Sequence, residues 1–391
     1  MKINWMSNAP WVPSGYGCQT RINAQRIQQL GHEICITALW GLEGGILNWN
    51  GIQVYPKGIA QWSNDIAAAH TINAKADILI TLFDAWPLEP EKLQQFGVRW
   101  VPWFPIDHDP CPAPIIRNVS KAFDRIVFTK FAAKQMERFE LSYHYVPHAI
   151  ETEVYKPMAM KEAREALRWP DDKFIVGMVA ANKGQPARKA LAEHIMAFAK
   201  LHEKHDDTML YLHTTAGAHG EYGGVNLPEL IDSLGITKAV SFADQYHLHL
   251  GFPDQYMMYV YNSMDVHALA SMGEGFGIPL VEAQACGCPV ITGEWTACEE
   301  LAFSGWTLTK KECAPLYTQL GSYQFVPDVD ALADRMEQAY RMKGNQMYRD
   351  LARKGALQYD ADKVAEKYWK PVLAEIDAKI HEVFEPELVK F

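Results

Sequence analysis

The chain has 391 residues, a length that suits two α/β domains of about 150–200 residues each. Hydrophobic residues make up 48% and charged residues 21%, as in water-soluble globular proteins, and no stretch reaches the roughly 18 apolar residues that a membrane helix needs. The formal net charge of −10, without a long run of Lys or Arg, disfavours general affinity for nucleic acids.

The first half of the chain predicts strands that alternate with helices. MKINWMS reads as a first strand and lacks the apolar core of a signal peptide. A Pro/Gly loop, PWVPSGYG, then leads into the helix CQTRINAQRIQQL, which ends at Gly31. Further strands are predicted at HEICITAL, at 76–83 and at 98–105, and KAFDRIVFT leads into the helix FAAKQMERF. This alternation favours a mostly parallel sheet with helices on both faces.

The same alternation restarts after an irregular segment, 145–157, that ends in proline and is a candidate linker. Helices are predicted at KEAREALRW, ALAEHIMAFAKLHEK, YMMYVYNSM and LVEAQACG, and strands at 173–180, 210–216, 265–271 and 289–293. The tail, 360–384, predicts one or two amphipathic helices broken at Pro371. The sequence therefore predicts an α/β protein with two doubly wound, Rossmann-like domains that face each other across a cleft.

We predict a first domain at 1–157 and a second at 158–371, with a C-terminal helix at 372–391 that crosses back to the first domain. Because the carboxyl ends of parallel strands point into the crevice of such folds, the cleft is the expected ligand site.

The segment SMGEGFGIPLVEAQACGCPVITG, at 271–293, predicts a strand, a glycine loop and a helix that begins at Pro279. Gly275 and Gly277 are expected to let the backbone approach a ligand and to adopt positive φ. The loop amides and the helix N-terminus suit a phosphate. Two carboxylates, Glu274 and Glu282, can accept hydrogen bonds from sugar or ribose hydroxyls.

Other candidates lie in the first domain. Gly15 and Gly17 follow the first strand, where they either permit close approach of a ligand to a helix N-terminus or make a tight turn. His108 lines the cleft or is an ordinary loop histidine. Asp107 and Asp109 around it match the metal-binding pattern D-x-D, which is frequent by chance. Tryptophans are numerous in this half, and exposed ones suit stacking on sugars or nucleobases, at positions 5, 11, 40, 49, 86 and 103.

The 7 cysteines are scattered and odd in number, which indicates a reducing compartment and a cytoplasmic location. Cys286 and Cys288 have no second Cys or His pair at zinc spacing, so we interpret them as small buried residues. No metal site is predicted.

The stretch EGFGIPLVEAQACGCPVI, with Glu274 and Glu282 separated by seven residues, resembles the signature of retaining glycosyltransferases of the GT-B fold, family four type. Weaker similarities surround it, in SGYG with LGHEI, VPHAIETEVYKP, ARKALAEHIMAFAKL and YVYNSMDVHALAS. The resemblance implies a nucleoside-diphosphate-sugar donor, such as a UDP- or GDP-sugar, with retention at the anomeric carbon.

The resemblance also implies roles for individual residues. Glu282 binds the ribose, Glu274 lies near the hydroxyls of the donor sugar, and the backbone amides around Phe276 and Gly277 meet the diphosphate or the sugar. Arg188 and Lys189 neutralise the diphosphate. The family's usual Arg stands several positions before the Lys, where this chain has Asn182 or Gly184, so Lys189 is the firmer assignment.

We expect a metal-independent transfer to an acceptor hydroxyl by a front-face mechanism, since the sequence shows no clear enzymic nucleophile. The acceptor stays open among a glycan, a lipid, a protein, a small molecule and a hydroxymethylated DNA base, as used by phage-type enzymes. A sugar-nucleotide epimerase, a phosphorylase and a non-catalytic sugar-nucleotide-binding module are the other hypotheses.

Overall fold

The computed structural model describes residues 1–218 and 223–382 and contains two large sheets. The first has eight strands in the order 3-4-2-1-5-6-7-8, and the second has six in the order 11-10-9-12-13-14. Every neighbouring pair is parallel except the first pair of the first sheet, which is antiparallel. The predicted fold of two doubly wound domains is confirmed.

The strands of the first sheet are β1 (Lys2–Asn8), β2 (Glu33–Trp40), β3 (Leu47–Trp49), β4 (Ile52–Tyr55), β5 (Ile78–Leu82), β6 (Trp100–Phe104), β7 (Ile126–Val127) and β8 (His144–Tyr145). The helices of this half are α1 (Gly15–Gln29), α2 (Ala67–Asn73), α3 (Pro90–Gln95), α4 (Ala113–Val119) and α5 (Lys130–Arg138). The central strands β1, β5 and β6 are almost wholly buried, as expected for a sheet covered on both faces.

The second sheet comprises β9 (Phe174–Val179), β10 (Thr208–His213), β11 (Val240–Phe242), β12 (Val266–Ala268), β13 (Val290–Gly293) and β14 (Gly305–Leu308). Its helices are α6 (Met160–Leu167), α7 (Leu191–Lys204), α8 (Leu227–Ser233), α9 (Gln245–Leu250), α10 (Asp254–Ser263), α11 (Ile278–Ala285), α12 (Val329–Arg341) and α13 (Gln346–Ala356). An antiparallel hairpin of β15 (Cys313–Tyr317) and β16 (Tyr323–Pro327) was not predicted. Single turns of 3-10 helix occur at Thr237–Ala239, Thr296–Glu300, Lys310–Glu312 and Leu357–Tyr359.

The tail runs through α14 (Ala361–Val364), a π-helical turn at Ala365–Trp369 and α15 (Lys370–His381). The predicted break at Pro371 is wrong, because this proline lies in the first turn of α15 and the preceding π-helical turn accommodates it. Trp369 packs against Trp5 and Trp103 of the first sheet and donates a hydrogen bond to Asn23 at 2.7 Å. The tail thus returns to the first domain, and the part of the predicted helix beyond 382 lies outside the described residues.

Several local predictions are corrected. Gly15 and Gly17 lie in the first turn of α1 and not in a loop, because Ser14 caps the helix and accepts a hydrogen bond from the Gly17 amide. The strand predicted to end at Ser271 ends at Ala268. The strand predicted at 210–216 begins and ends earlier, as β10 (Thr208–His213).

Within the two described ranges, no helix combines the length and the apolar character needed to cross a bilayer. The described cysteines are free, and Cys286 and Cys288 are fully buried, as we had interpreted them.

Candidate active site

The carboxyl ends of the two sheets face each other, and the loops that follow them are in direct contact. Asp107 follows β6 in the first domain, and Arg188 follows β9 in the second. The Arg188 Nε lies 3.6 Å from the Asp107 Oδ2, and the Gln324 side chain reaches the Asp107 carbonyl at 3.5 Å. The predicted cleft is therefore lined by both domains.

A buried carboxylate and two basic side chains form the centre of this cleft. Glu274 is only 4% exposed and accepts hydrogen bonds from Lys189 and, at 2.6 Å, from Ser271. Arg188 lies 3.4 Å from the second carboxylate oxygen and also donates to the Gly273 carbonyl. Burial alone would raise the pKa of Glu274, but the charges of Lys189 and Arg188 outweigh it and hold this pKa below its usual value.

The adjacency of Arg188 and Lys189 is explained by the backbone between β9 and α7. The Met272 amide donates to the Arg188 carbonyl at 2.8 Å, which fixes this segment beside the loop after β12. Both side chains then converge on the same carboxylate. The structure thus brings Arg188, Lys189 and Glu274 together; their expected roles toward a donor stay a prediction.

Two helix N-termini converge on this cluster. Gly277 adopts φ of +108° and is the N-cap of α11, with Pro279 in its first turn. The N-terminus of α1 approaches from the other domain, since a Cβ built on Gly15 would lie 3.3 Å from the Ile278 Cδ1. Free amides and helix dipoles at both termini favour an anion between them.

The other glycines are required by packing. A Cβ on Gly17 would lie 2.2 Å from the Val12 carbonyl oxygen, inside the first domain. A Cβ on Gly275 would lie 2.4 Å from the Pro105 Cβ, across the domain interface. Positive φ was expected at Gly275, but the positive-φ glycines of the described residues include Gly277 and not Gly275. Its small size is needed because the two domains touch there.

Phe276 turns its ring away from the basic pair. The ring is 4% exposed and packs edge-on against His148, at 5.0 Å between centroids, and near Phe128 and Tyr359. Only the backbone of this residue is therefore available to a ligand, which agrees with the role that we had expected for its amide. His148, which precedes the linker, is buried in the same aromatic cluster.

Glu282 occupies a separate pocket beside α1. It accepts a hydrogen bond from the Tyr261 hydroxyl at 2.8 Å, and burial raises its pKa to about 7, although the hydroxyls of Tyr261 and Tyr155 oppose this shift. Arg21 of α1 forms an ion pair with Asp254 at 2.7 Å in the same region, so the two domains also meet here. A buried carboxylate with only hydroxyl donors is poised to exchange them for those of a ligand.

His108 is buried and its Nδ1 lies 2.7 Å from the Asp107 Oδ1. Asp109 points elsewhere: it pairs with Lys310, while its amide donates to the Tyr323 carbonyl at 3.0 Å. The two carboxylates of D-x-D thus have different partners. Over the described parts of the chain, no group of three or more His, Cys, Asp or Glu residues is arranged to hold a metal ion.

Three residues of the cleft were missed from the sequence. Asp84 follows β5, and burial, with the Asp107 charge, raises its pKa to about 6. Lys183 and Tyr16 lie close enough for the charge of Arg188 to act on both. Only their positions in the chain indicated a place in the cleft: Asp84 follows β5, Lys183 follows β9 and Tyr16 lies at the N-terminus of α1. The domains also meet at Glu300, which accepts a hydrogen bond from the Lys130 amide of the first domain at 2.7 Å.

Comparisons with known proteins place this geometry in context. The family described as Glycosyl transferases group 1 matches residues 159–307. A D-inositol 3-phosphate glycosyltransferase of Corynebacterium jeikeium is 28% identical over 151 residues, which is 37% of this chain and 34% of that protein. An MMP alpha-(1->4)-mannosyltransferase of Mycolicibacterium hassiacum is 25% identical over 232 residues, 59% of this chain and 48% of that protein. The chain spans about a third of the length of the first curated relatives that it matches.

Solved structures match over nearly the whole chain. Sucrose-phosphate synthase from Thermosynechococcus elongatus has a TM-score of 0.75 at 14% identity, with coverage of 96% of this chain and 99% of that one. Anabaena HepE in complex with UDP and glucose has a TM-score of 0.70 at 15% identity, with coverage of 97% and 100%. The chain therefore has the GT-B fold, and its second domain matches the Glycosyl transferases group 1 family.

Proposed function

We propose that this protein is a glycosyltransferase that moves a sugar from a nucleoside-diphosphate-sugar donor to an acceptor hydroxyl. The observation that supports this most directly is the buried cluster of Arg188, Lys189 and Glu274 between two helix N-termini. The family match of the second domain and the HepE structure with UDP and glucose support the same class of donor.

The diphosphate would lie between the N-termini of α1 and α11, near Gly15 and the Gly277 amide. Lys189 and Arg188 would exchange part of their contact with Glu274 for the phosphate oxygens. Fixed positive groups of this kind stabilise the charge that develops on the departing diphosphate. Gly17 contributes indirectly, because it permits the tight approach of the Val12 loop to α1.

The donor's two sugar rings would be held by the two glutamates. Glu282 accepts hydrogen bonds from the ribose hydroxyls in place of Tyr261, and Glu274 lies near the hydroxyls of the transferred sugar. His108 faces the same cleft, and its pairing with Asp107 fixes the orientation of the imidazole. The nucleotide is a UDP or GDP derivative in this proposal.

The transfer breaks the bond between the anomeric carbon and the diphosphate oxygen, and forms a bond from that carbon to the acceptor oxygen. We propose a front-face reaction that retains the anomeric configuration, in which the acceptor's proton passes to the departing diphosphate oxygen. The products are a glycoside and a nucleoside diphosphate. Arg188 and Lys189 perform the charge stabilisation that a metal ion provides in other enzymes, so we propose a metal-independent reaction. We also propose that the reaction takes place in the cytoplasm.

The test measures thermal shifts with UDP, GDP, UDP-glucose and GDP-mannose, each with and without EDTA. A nucleotide at a hundred times its Kd stabilises the folded protein by about 2.7 kcal/mol. We expect one nucleotide series to raise the Tm, with or without EDTA, and Lys189→Ala to abolish the shift. The matched control is Lys161→Ala, at an exposed lysine on α6.

Two results would contradict the proposal. Unchanged Tm with every nucleotide argues against the donor class, and an equal shift in Lys189→Ala argues against the site. If the nucleotide raises the Tm only in the absence of EDTA, the donor class stands and only the proposed metal independence is wrong.

A further inference from the structure

Three aromatic side chains of the first domain, Trp62, Phe83 and Trp86, form what we call the aromatic wall. The rings of Trp62 and Phe83 are 5.3 Å apart between centroids, and those of Trp62 and Trp86 are 5.9 Å apart. Trp86 is 37% exposed, and Trp62 and Phe83 are half-buried. Part of this aromatic surface is therefore exposed to solvent beside the cleft.

The loops that present the wall are held rigidly. The Asn118 amide donates to the carbonyls of Ala85, Trp86 and Leu88, at 2.9–3.1 Å. The Asn64 side chain donates to the Pro87 carbonyl at 2.9 Å and so ties the loop of Trp62 to the loop of Trp86. A surface with fixed rotamers and loops loses little entropy when a ligand binds.

The wall is continuous with the candidate active site. Tyr16, in the first turn of α1, lies 6.0 Å from the Phe83 ring between centroids. Asp84 follows Phe83 directly, and the charges of Asp107, Arg188 and Lys183 all act on it. No hydrogen bond or ion pair between the side chains of described residues occupies the Asp84 carboxylate, so it is available to accept from a ligand hydroxyl.

The charge of the wall's two loops argues against an anionic ligand. The segments 56–66 and 83–89 contain Asp65, Asp84 and Glu89 but a single basic residue, Lys57. Lys57 is paired with Glu43 at 3.0 Å and Glu89 with Lys92 at 3.8 Å, so Asp65 and Asp84 carry the negative charge of these loops. The basic groups Arg188 and Lys189 belong to the second domain, where they pair with Glu274 and where the diphosphate is proposed to bind. A phosphorylated acceptor would therefore meet acidic groups at the wall.

We infer that Trp62, Phe83, Trp86 and Asp84 form the acceptor subsite and that the acceptor is a neutral carbohydrate. This inference rests on the proposed function. The apolar C–H face of a sugar ring stacks on the indoles, and Asp84 accepts a hydrogen bond from one of its hydroxyls and orients the ring toward Arg188 and Lys189. A neutral acceptor differs from the phosphorylated compound after which the D-inositol 3-phosphate glycosyltransferases are named.

The test measures release of UDP or GDP from UDP-glucose and GDP-mannose with a panel of acceptors. The neutral acceptors are methyl hexopyranosides, N-acetylhexosaminides and maltose, and the comparison acceptors are hexose phosphates and inositol phosphate. Phosphatidylinositol vesicles and an oligonucleotide with hydroxymethylcytosine represent the lipid and DNA alternatives. We expect a neutral sugar to accelerate release and the phosphorylated sugars to do so less.

Variants locate the subsite. Trp86→Ala should raise the acceptor KM roughly ten- to hundredfold and leave the donor KM unchanged, because aromatic stacking contributes at that level. Trp86→Phe should restore most of the affinity, and Asp84→Asn should lower kcat/KM for the acceptor without changing the thermal shift by the nucleotide. The matched control is Phe96→Ala, since Phe96 is 56% exposed and lies at the C-terminal end of α3, before β6 begins.

The inference is overturned by a preference for phosphorylated sugars, by turnover only with vesicles or the oligonucleotide, or by an acceptor KM that is insensitive to Trp86→Ala. It is also overturned if the nucleotide sugars bind and no neutral carbohydrate accelerates release. In each of these cases nucleotide binding persists, so the donor half of the proposed function survives. If no nucleotide sugar shifts the Tm, the proposed function itself fails and takes the acceptor inference with it.

Discussion

Glu282 illustrates how a single buried carboxylate is adjusted by its surroundings. Burial raises its pKa to about 7. The Tyr261 hydroxyl, which donates a hydrogen bond to the carboxylate at 2.8 Å, opposes part of this rise. The group therefore changes its charge close to neutral pH. Only the ionised form offers both oxygens as acceptors to a pair of ribose hydroxyls.

We predict that nucleotide affinity depends on pH through Glu282. With a pKa of about 7, the ionised fraction rises roughly tenfold from pH 6 to pH 8, and the Kd for UDP or GDP should fall by a similar factor. Isothermal titration at several pH values measures this. The phosphate of the nucleotide also titrates in this range, and the control Glu282→Gln should keep only that part of the pH dependence. An identical pH profile of Kd in wild type and variant would refute the ribose role of Glu282.

The raised pKa of Glu282 also makes the stability of the folded protein depend on pH. A carboxyl whose folded pKa lies above its unfolded value stabilises the fold fully below the unfolded pKa and loses this contribution as the pH rises through the folded pKa. Wild-type protein without nucleotide should therefore lose stability relative to Glu282→Gln between about pH 4.5 and pH 7. Thermal melts of both proteins across this range measure the difference, and a constant difference would contradict the shift.

The sequence predicted the residues of this site unevenly. Glu274, Glu282, Arg188 and Lys189 were singled out because they stand in short, contiguous segments that resemble family motifs. Asp84, Tyr16 and Lys183 were missed because each belongs to a different segment of the chain, and their proximity exists only in the folded protein. No pattern of spacing relates Asp84 to Arg188, which lie more than a hundred positions apart in the sequence.

Among the elements, the loop between β12 and α11 determines how closely the domains approach. The Gly275 backbone lies against Pro105, and a Cβ there would be 2.4 Å from the Pro105 Cβ. The sequence predicted the start of the helix that follows to within one residue, at Pro279 where α11 begins at Ile278. It did not predict why Gly275 is glycine, because the contact is made by the other domain.

We predict that Gly275→Ala holds the two domains apart. The added methyl group has no space beside Pro105, so the variant should show a larger radius of gyration in small-angle X-ray scattering and weaker nucleotide binding. Gly44→Ala is the matched control, because a Cβ there meets no atom within 4 Å. A Gly275→Ala protein with wild-type scattering and affinity would show that the loop relaxes within its own domain.

At the scale of the whole molecule, the tail joins the two domains by a second route. It leaves α13 of the second domain and places Trp369 against the first sheet, where Trp369 is fully buried. Alternating strands and helices made the two-domain fold predictable. The small strands β3, β4 and β8 and the β15–β16 hairpin were missed because runs of two to five residues give too little periodicity to recognise.

We predict that Trp369→Ala destabilises the protein by about 3–5 kcal/mol, the usual cost of removing a buried tryptophan. The lost contacts are those with Trp5 and Trp103 and the hydrogen bond to Asn23. Denaturation by guanidinium measures this change, and Leu351→Ala is the control at a side chain that is 45% exposed. Equal stability of the two variants would mean that the tail does not support the first domain.

The contact between Gly15 and Ile278 links the proposed anion site to the arrangement of the two domains. Each domain supplies one of the two helix N-termini, so neither domain alone encloses an anion, and the full electrostatic field exists only when the halves are together. Under the proposed function, the departing nucleotide would lose the α1 side of its binding site when the two domains separate. Under the proposed function, a donor in an open cleft would keep Arg188 and Lys189 but would lack the helix N-terminus that α1 supplies, so hydrolysis by entering water would be slower than transfer in the closed cleft.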